Sequence, residues 1–268
     1  LTALHRMTEH SPMGAAERVR VFWQPGCTSC LRTKEFLSGH GVDYESINVH
    51  GNPAGMAELR KLGARSVPIV ARGDEFVFAQ SLADVVRFLD LKVRLHEALS
   101  PEALIGKIDL VLSAAMRYVR QIPPDWLDKP FRNRARPIRI LCHHVFRIPE
   151  AFVEAAVGQR ELTYELIMQE PGPAIRTGDD LAEYGAGVLR RVKAWWAASE
   201  DRSGQAPFDT YFGRRSMQEV LERTAWHSAQ HARQLMLILD TLGIEPDGRL
   251  TPADVAGLPL PEKAWDDE

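Results

Sequence analysis

The chain has 268 residues, 45% of them apolar and 26% charged, with a formal net charge of −3. That length suggests two domains of ordinary size, and a slightly acidic balance argues against a general nucleic-acid binder. No run approaches the ~20 apolar residues of a membrane span, and Leu1–Glu17 carries charges and histidines where an export signal needs an apolar stretch.

Val19–Trp23 is a short β-rich run ending in the turn Gln24-Pro25-Gly26. Thr28–Leu37 reads as a helix closed by Gly39 and Gly41. Val42–Val49 is a second strand. Asn52-Pro53 then opens a helix through Leu62, which Gly63 stops. Val67–Ala71 and Glu75–Ala79 are strands separated by the hairpin turn Gly73-Asp74, and Ser81 caps a helix to about Leu91. The order βαβαββα makes residues 18–92 a complete small α/β domain.

The three cysteines are Cys27, Cys30 and Cys142. So few cysteines in a chain of this size fit a reducing cytoplasm. Cys27 stands at the start of a helix, where the dipole and free backbone N–H groups favour a thiolate. Cys30 lies one turn on, within reach of a mixed disulfide at Cys27. The alternative is half of a zinc knuckle, but that needs two further ligands nearby, and no second Cys pair exists.

P-G-C-T-S-C-L-R-T-K over 25–34 and S-V-P-I-V over 66–70 resemble the glutaredoxin and NrdH-redoxin family. The resemblance implies a thioredoxin-like fold, with Cys27 as nucleophile and Cys30 as resolving thiol. It also implies a cis Pro68 facing the dithiol, so that Val67 and Pro68 shape the substrate groove. Glutathione-binding members usually carry Gly-Gly where this chain has Ala79-Gln80-Ser81, a departure that weakens the case for glutathione.

After Lys92 the pattern turns helical. Ser100-Pro101 is an N-cap followed by a first-turn proline, and Ile105, Ile108, Leu112, Ala115, Val119 and Ile122 form one stripe that Pro123-Pro124 ends. Further helices span about 137–158, 179–199 and 214–242. Four amphipathic helices hide their stripes only by packing together, so residues 100–245 should form a four-helix bundle. Residues 246–268 read as a surface tail.

On the last helix the stripe Met217, Val220, Thr224, His227, His231, Leu235, Ile238, Leu242 places two histidines on the core-facing seam. Buried imidazoles need partners, which a shared metal or ordinary core hydrogen bonds would supply. His144 aligns with Leu141 and Ile148 toward the core, whereas His143 shares a face with Arg139, Arg147, Glu150 and Glu154 that reads as solvated. Cys142 reads as buried packing. Arg132, Arg134, Arg136 and Arg139 read as a solvated basic loop, with a carboxylate cradle at a helix N-terminus as the alternative.

P-I-R-I-L-C-H-H-V over 137–145 and W-H-S-A-Q-H-A-R-Q-L over 226–235 look like the DinB/YfiT superfamily of four-helix bundles. That resemblance implies a divalent metal, zinc first with nickel or iron as alternatives, held by His144, His227 and His231. It also implies S-transfer using a low-molecular-weight thiol of the glutathione, mycothiol or bacillithiol type. The combined expectation is a thiol-disulfide oxidoreductase coupled to a metal-dependent S-transferase, acting on a small thiol or disulfide without nucleic acid or membrane. The alternative is a catalytic redoxin whose bundle is a metal-stabilised binding or homodimerisation module for a protein disulfide client.

Overall fold

A computed structural model describes residues 18–266; the Leu1–Glu17 segment weighed above as an export signal lies outside the described residues. The N-terminal domain contains β1 (Val19–Trp23), α1 (Thr28–Gly39), β2 (Tyr44–Asn48), α2 (Pro53–Lys61), β3 (Ile69–Arg72), β4 (Glu75–Phe78) and α3 (Leu82–Phe88). Its sheet has the order β2-β1-β3-β4, with β1 parallel to β2 and antiparallel to β3. β1 is apolar at nearly every position because both faces of the sheet are covered. Val19 and Val21 pack with Leu37 of α1 and Val85 of α3, while Phe22 packs with Leu59 of α2. This is the expected thioredoxin-like fold.

The C-terminal domain runs α4 (Pro101–Gln121), α5 (Pro124–Leu127), β5 (Pro130–Phe131), β6 (Arg134–Pro137), α6 (Ile138–Gly158), α7 (Tyr164–Ile167), α8 (Gly178–Ala198), β7 (Pro207–Thr210), β8 (Gly213–Ser216) and α9 (Met217–Thr241). α4 and α6 each pack against both α8 and α9, which makes the expected four-helix bundle. Two short hairpins, β5–β6 and β7–β8, precede α6 and α9. The last helix therefore begins at Met217 rather than at Arg214. Ser216 and Glu219 form a reciprocal capping box there, and Arg214 and Arg215 lie in β8.

The middle of α9 is buried all round. Every residue from Arg223 to Ala232 is buried, well beyond the single stripe that a bundle hides. The extra cover comes from outside the bundle. The Arg32 guanidinium of α1 lies 4.0 Å from the Trp226 ring centroid, and Gln230 donates to the carbonyls of Lys263 and Ala264 at 2.8 and 3.0 Å.

Those last contacts revise the reading of 246–268 as a surface tail. Many of its residues are exposed, but Leu250, Leu258 and Trp265 are buried in the bundle core cluster. Asp266 forms a buried ion pair with Lys34 of α1 at 3.0 Å, and Glu35 accepts hydrogen bonds from the amides of Glu262 and Lys263. The segment straps one domain to the other. Among the described residues, no helix is long and apolar enough to cross a membrane.

α6 and α8 approach closely where Gly185 meets the fully buried Phe146 ring. A Cβ at Gly185 would lie 2.5–2.8 Å from three ring carbons. Gly185→Ala should therefore destabilise the chain by about 1–3 kcal/mol through overpacking. A lowered Tm with an unchanged far-ultraviolet dichroism spectrum is the expected result.

Candidate dithiol and metal site

The turn before α1 brings the dithiol to its position. Gly26 has φ +66, and a Cβ there would lie 2.7 Å from Arg134 Cδ, so glycine serves both the turn and the approach of the second domain. Cys27 is the N-cap of α1, and its Sγ accepts from the backbone N–H of Cys30 at 3.2 Å. Cys27 and Cys30 are joined as a disulfide. Cys30 is fully buried, whereas Cys27 is partly exposed and lines a cleft between the domains. Of the two sulfurs, that of Cys27 belongs to the residue open to the cleft. Val67 lines the same cleft. Pro68, joined to it by a cis peptide bond, is buried, and its carbonyl accepts from the Ala79 amide at 3.0 Å.

The far wall of that cleft carries His144 of α6 and His227 and His231 of α9. Their ring centroids are 4.9–5.8 Å apart, and one nitrogen from each can be chosen so that all three lie within 4.8 Å of one another. All three are buried. His231 Nδ1 pairs with Gln234 Oε1 at 2.8 Å, which leaves Nε2 buried and unpartnered; His227 Nδ1 is likewise orphaned. Orphaned, converging ring nitrogens fit a divalent metal better than core hydrogen bonding, because such atoms otherwise lose their solvation uncompensated. The bond to Gln234 fixes the ring orientation of His231 and turns its Nε2 toward the other two histidines' side of the cleft.

Electrostatics agree with the donor set. Burial holds all three imidazoles neutral, with His231 pushed down to about 3, and the neighbouring cations Arg134, Arg136 and Arg223 act in the same direction. A neutral imidazole is the ligating form.

One joint ties the two halves together. Gln80 Oε1 accepts from Ser29 Oγ at 2.9 Å and from Arg223 Nη2 at 3.2 Å, while the Gln80 carbonyl accepts from Arg32 at 2.9 Å. Arg134 Nη1 donates to the Gly26 carbonyl at 2.8 Å, next to Cys27.

The glutaredoxin family model matches residues 19–77. The glutaredoxin-like protein NrdH of Escherichia coli strain K12 is 35% identical over 57 residues, which cover 21% of this chain and 70% of that protein. The chain belongs to the glutaredoxin family. A glutaredoxin of Pseudomonas aeruginosa is 37% identical over 60 residues, or 22% of this chain and 71% of that protein. The NrdH protein of Lactococcus lactis strain IL1403 is 28% identical over 61 residues, or 23% and 83%. The DinB superfamily model matches residues 107–235. This glutaredoxin is thus fused to a DinB-like bundle, and the fused part holds the three histidines.

Two sequence expectations change. The face of His143 is not solvated: His143 stacks on Tyr184 with centroids 4.7 Å apart. Beside it the buried Arg147 pairs with Glu150 and Glu154 at 2.7 and 2.8 Å, and Glu150 also binds Tyr184 and Arg191. α8 packs over this face and removes it from water. The basic loop also divides. Arg132 is exposed and Arg139 pairs with Asp128 at the surface, but Arg134 and Arg136 turn into the cleft. Cys142 is buried packing as expected, and burial pushes its thiol pKa up.

Gln80, Arg223 and Gln234 were not singled out from sequence. Arg223 precedes His227 by one helical repeat and Gln234 follows His231 by three residues, so helical spacing held the signal for both. Replacing Gln80 with Ala leaves Ser29 and Arg223 short of a buried partner, which should cost about 1–3 kcal/mol. Thermal unfolding of Gln80→Ala against the parent chain measures it, and an unchanged Tm would contradict the joint.

Proposed function

We propose that the protein is a thiol-disulfide oxidoreductase whose bundle handles the same small thiol that its dithiol releases from a disulfide. The observation that carries this reading is the single cleft lined by Cys27 on one side and His144, His227 and His231 on the other. The proposed roles are Cys27 as nucleophile, Cys30 as resolving thiol, Val67 and Pro68 as groove, and the three histidines as metal ligands.

In the reductive direction the Cys27 thiolate, favoured by the Cys30 N–H and the helix N-terminus, attacks a disulfide RS–SR′. R′S⁻ leaves, and RS– stays bonded to Cys27. The Cys30 thiolate then attacks Cys27, closes the internal disulfide and releases RS⁻. Burial restricts Cys30 to this internal step. The freed thiol emerges in a cleft whose other wall is the histidine trio. His144, His227 and His231 would hold a divalent metal, zinc first, which would supply the Lewis acidity that lowers a thiol's pKa for transfer to an electrophile. Gln234 orients His231 for that task, and the buried wall limits competing water.

Metal analysis of the purified full chain tests the reading. About one divalent ion per chain is expected, retained by the parent and lost from the His227→Ala, His231→Ala double variant. Turnover of a small thiol with an electrophile should fall with the metal, while opening of the Cys27–Cys30 disulfide by a small thiol should persist. Equal turnover in parent and double variant would contradict the bundle's chemical role and leave it a binding module.

A further inference from the structure

The inner part of the cleft, beside Cys27 and the histidines, is charged in one sense only. Arg134 and Arg136 of β6 and Arg223 of α9 line it, and no Asp or Glu does. Arg134 and Arg223 are 9% and 5% exposed. Their hydrogen bonds go to neutral groups: the Gly26 carbonyl for Arg134, and Gln80 and the Tyr211 hydroxyl for Arg223. Among the described residues none of the three forms an ion pair, and Arg136 has no hydrogen-bond partner. Arg147 shows the ordinary arrangement in the same molecule: it is 3% exposed and paired with two carboxylates. Burying guanidinium groups without a counter-charge is costly.

The cleft has two parts. The inner space beside Cys27 and the histidines measures about 50 Å³. It adjoins a vestibule of about 360 Å³ that shares Gln24, Arg134, Arg136, Tyr164 and Met168 with it. Glu170 is the one acid on the vestibule wall, so the arginines outnumber it. The inner space admits little more than a thiol and its adjoining carbons. The vestibule has room for the rest of a small molecule and would meet it with forked donors suited to carboxylates.

Building on the proposed thiol chemistry, we propose that the cleft selects an anionic thiol, a small molecule bearing one or more carboxylates. Its sulfur points inward to Cys27, past Arg223, and its carboxylates lie on Arg134 and Arg136, which line both parts. In the oxidised protein the ligand's thiolate attacks Cys27 Sγ. The electron pair of the broken bond passes to Cys30, which becomes the thiolate, and the ligand stays as a mixed disulfide on Cys27. No further oxidant or reductant enters.

Rates of disulfide opening in the oxidised full chain test this with three probes: mercaptosuccinate, 2-mercaptoethanol and cysteamine. Each rate is divided by that thiol's rate on a small uncharged disulfide, which removes intrinsic nucleophilicity. Mercaptosuccinate should exceed 2-mercaptoethanol by about tenfold or more, cysteamine should fall below it, and added salt should narrow the gap. Arg136→Gln should collapse the ratio, Arg136→Lys should restore part of it, and Arg139→Gln, on the surface, should leave it at the parent value. Equal normalised rates in the parent, or a preference that Arg136→Gln and Arg134→Gln both retain, would overturn the proposal. If either variant fails to fold, the salt series on the parent decides: a preference indifferent to salt overturns it. Because disulfide opening does not depend on turnover at the histidines, a metal-free chain would end the S-transfer reading while leaving an anion preference intact.

Discussion

The carboxamide of Gln80 is the point through which the two domains hold each other in register. It receives Ser29 from the dithiol helix and Arg223 from the histidine helix on one oxygen, and its backbone carbonyl receives Arg32. All four groups are buried, so each lost bond would leave a desolvated polar group, and hydrogen bonds to charged groups contribute about 1.5–3 kcal/mol each. With this joint made, Cys27 and the histidine trio face one cleft. It also accounts for the all-round burial of α9, because the redox domain takes the face that a free bundle would give to water. Gln80 stands where glutathione-binding relatives were expected to show Gly-Gly. Here the position serves the interface between domains.

The fold was largely legible in the sequence because each half obeys a simple period. The alternation of strands and capped helices from Val19 to Leu91, and the three–four spacing from Ile105 to Ile122, follow directly from one-sided or two-sided burial. The histidine pair was legible for the same reason, since His227 and His231 occupy positions where the stripe requires Leu or Ile. What escaped were elements whose signal is short or non-local. The hairpins before α6 and α9 have strands of only two to four residues, and Arg214 and Arg215 fit a helical pattern as well as a strand. The tail from residue 246 shows no period, yet Trp265 is 2% exposed because its contacts lie far back in the chain, at Phe131 and Asn133.

The charge of the site was illegible for a different reason. A run of arginines at 132, 134, 136 and 139 looks uniformly solvated in one dimension. Only the strand period of β6, which sends Arg134 and Arg136 toward the cleft, and the approach of Gly26 from the other domain distinguish the members. The same holds for the pairing of the two sites. Each motif was readable alone, but no local feature of either marks the other as its neighbour across the cleft. An inner cleft with three guanidinium groups, three neutral imidazoles and no carboxylate favours negative charge, and both a thiolate and a carboxylate supply it.

The most direct measurement asks whether the two sites occupy one reaction space. With cobalt(II) loaded into the full-length Cys30→Ser protein, the visible absorption spectrum reports the surroundings of the histidine site. Forming a mixed disulfide between Cys27 and a small thiol should change that spectrum, and releasing the thiol should restore it. A cobalt spectrum indifferent to what Cys27 carries would contradict the shared cleft and separate the redox chemistry from the bundle.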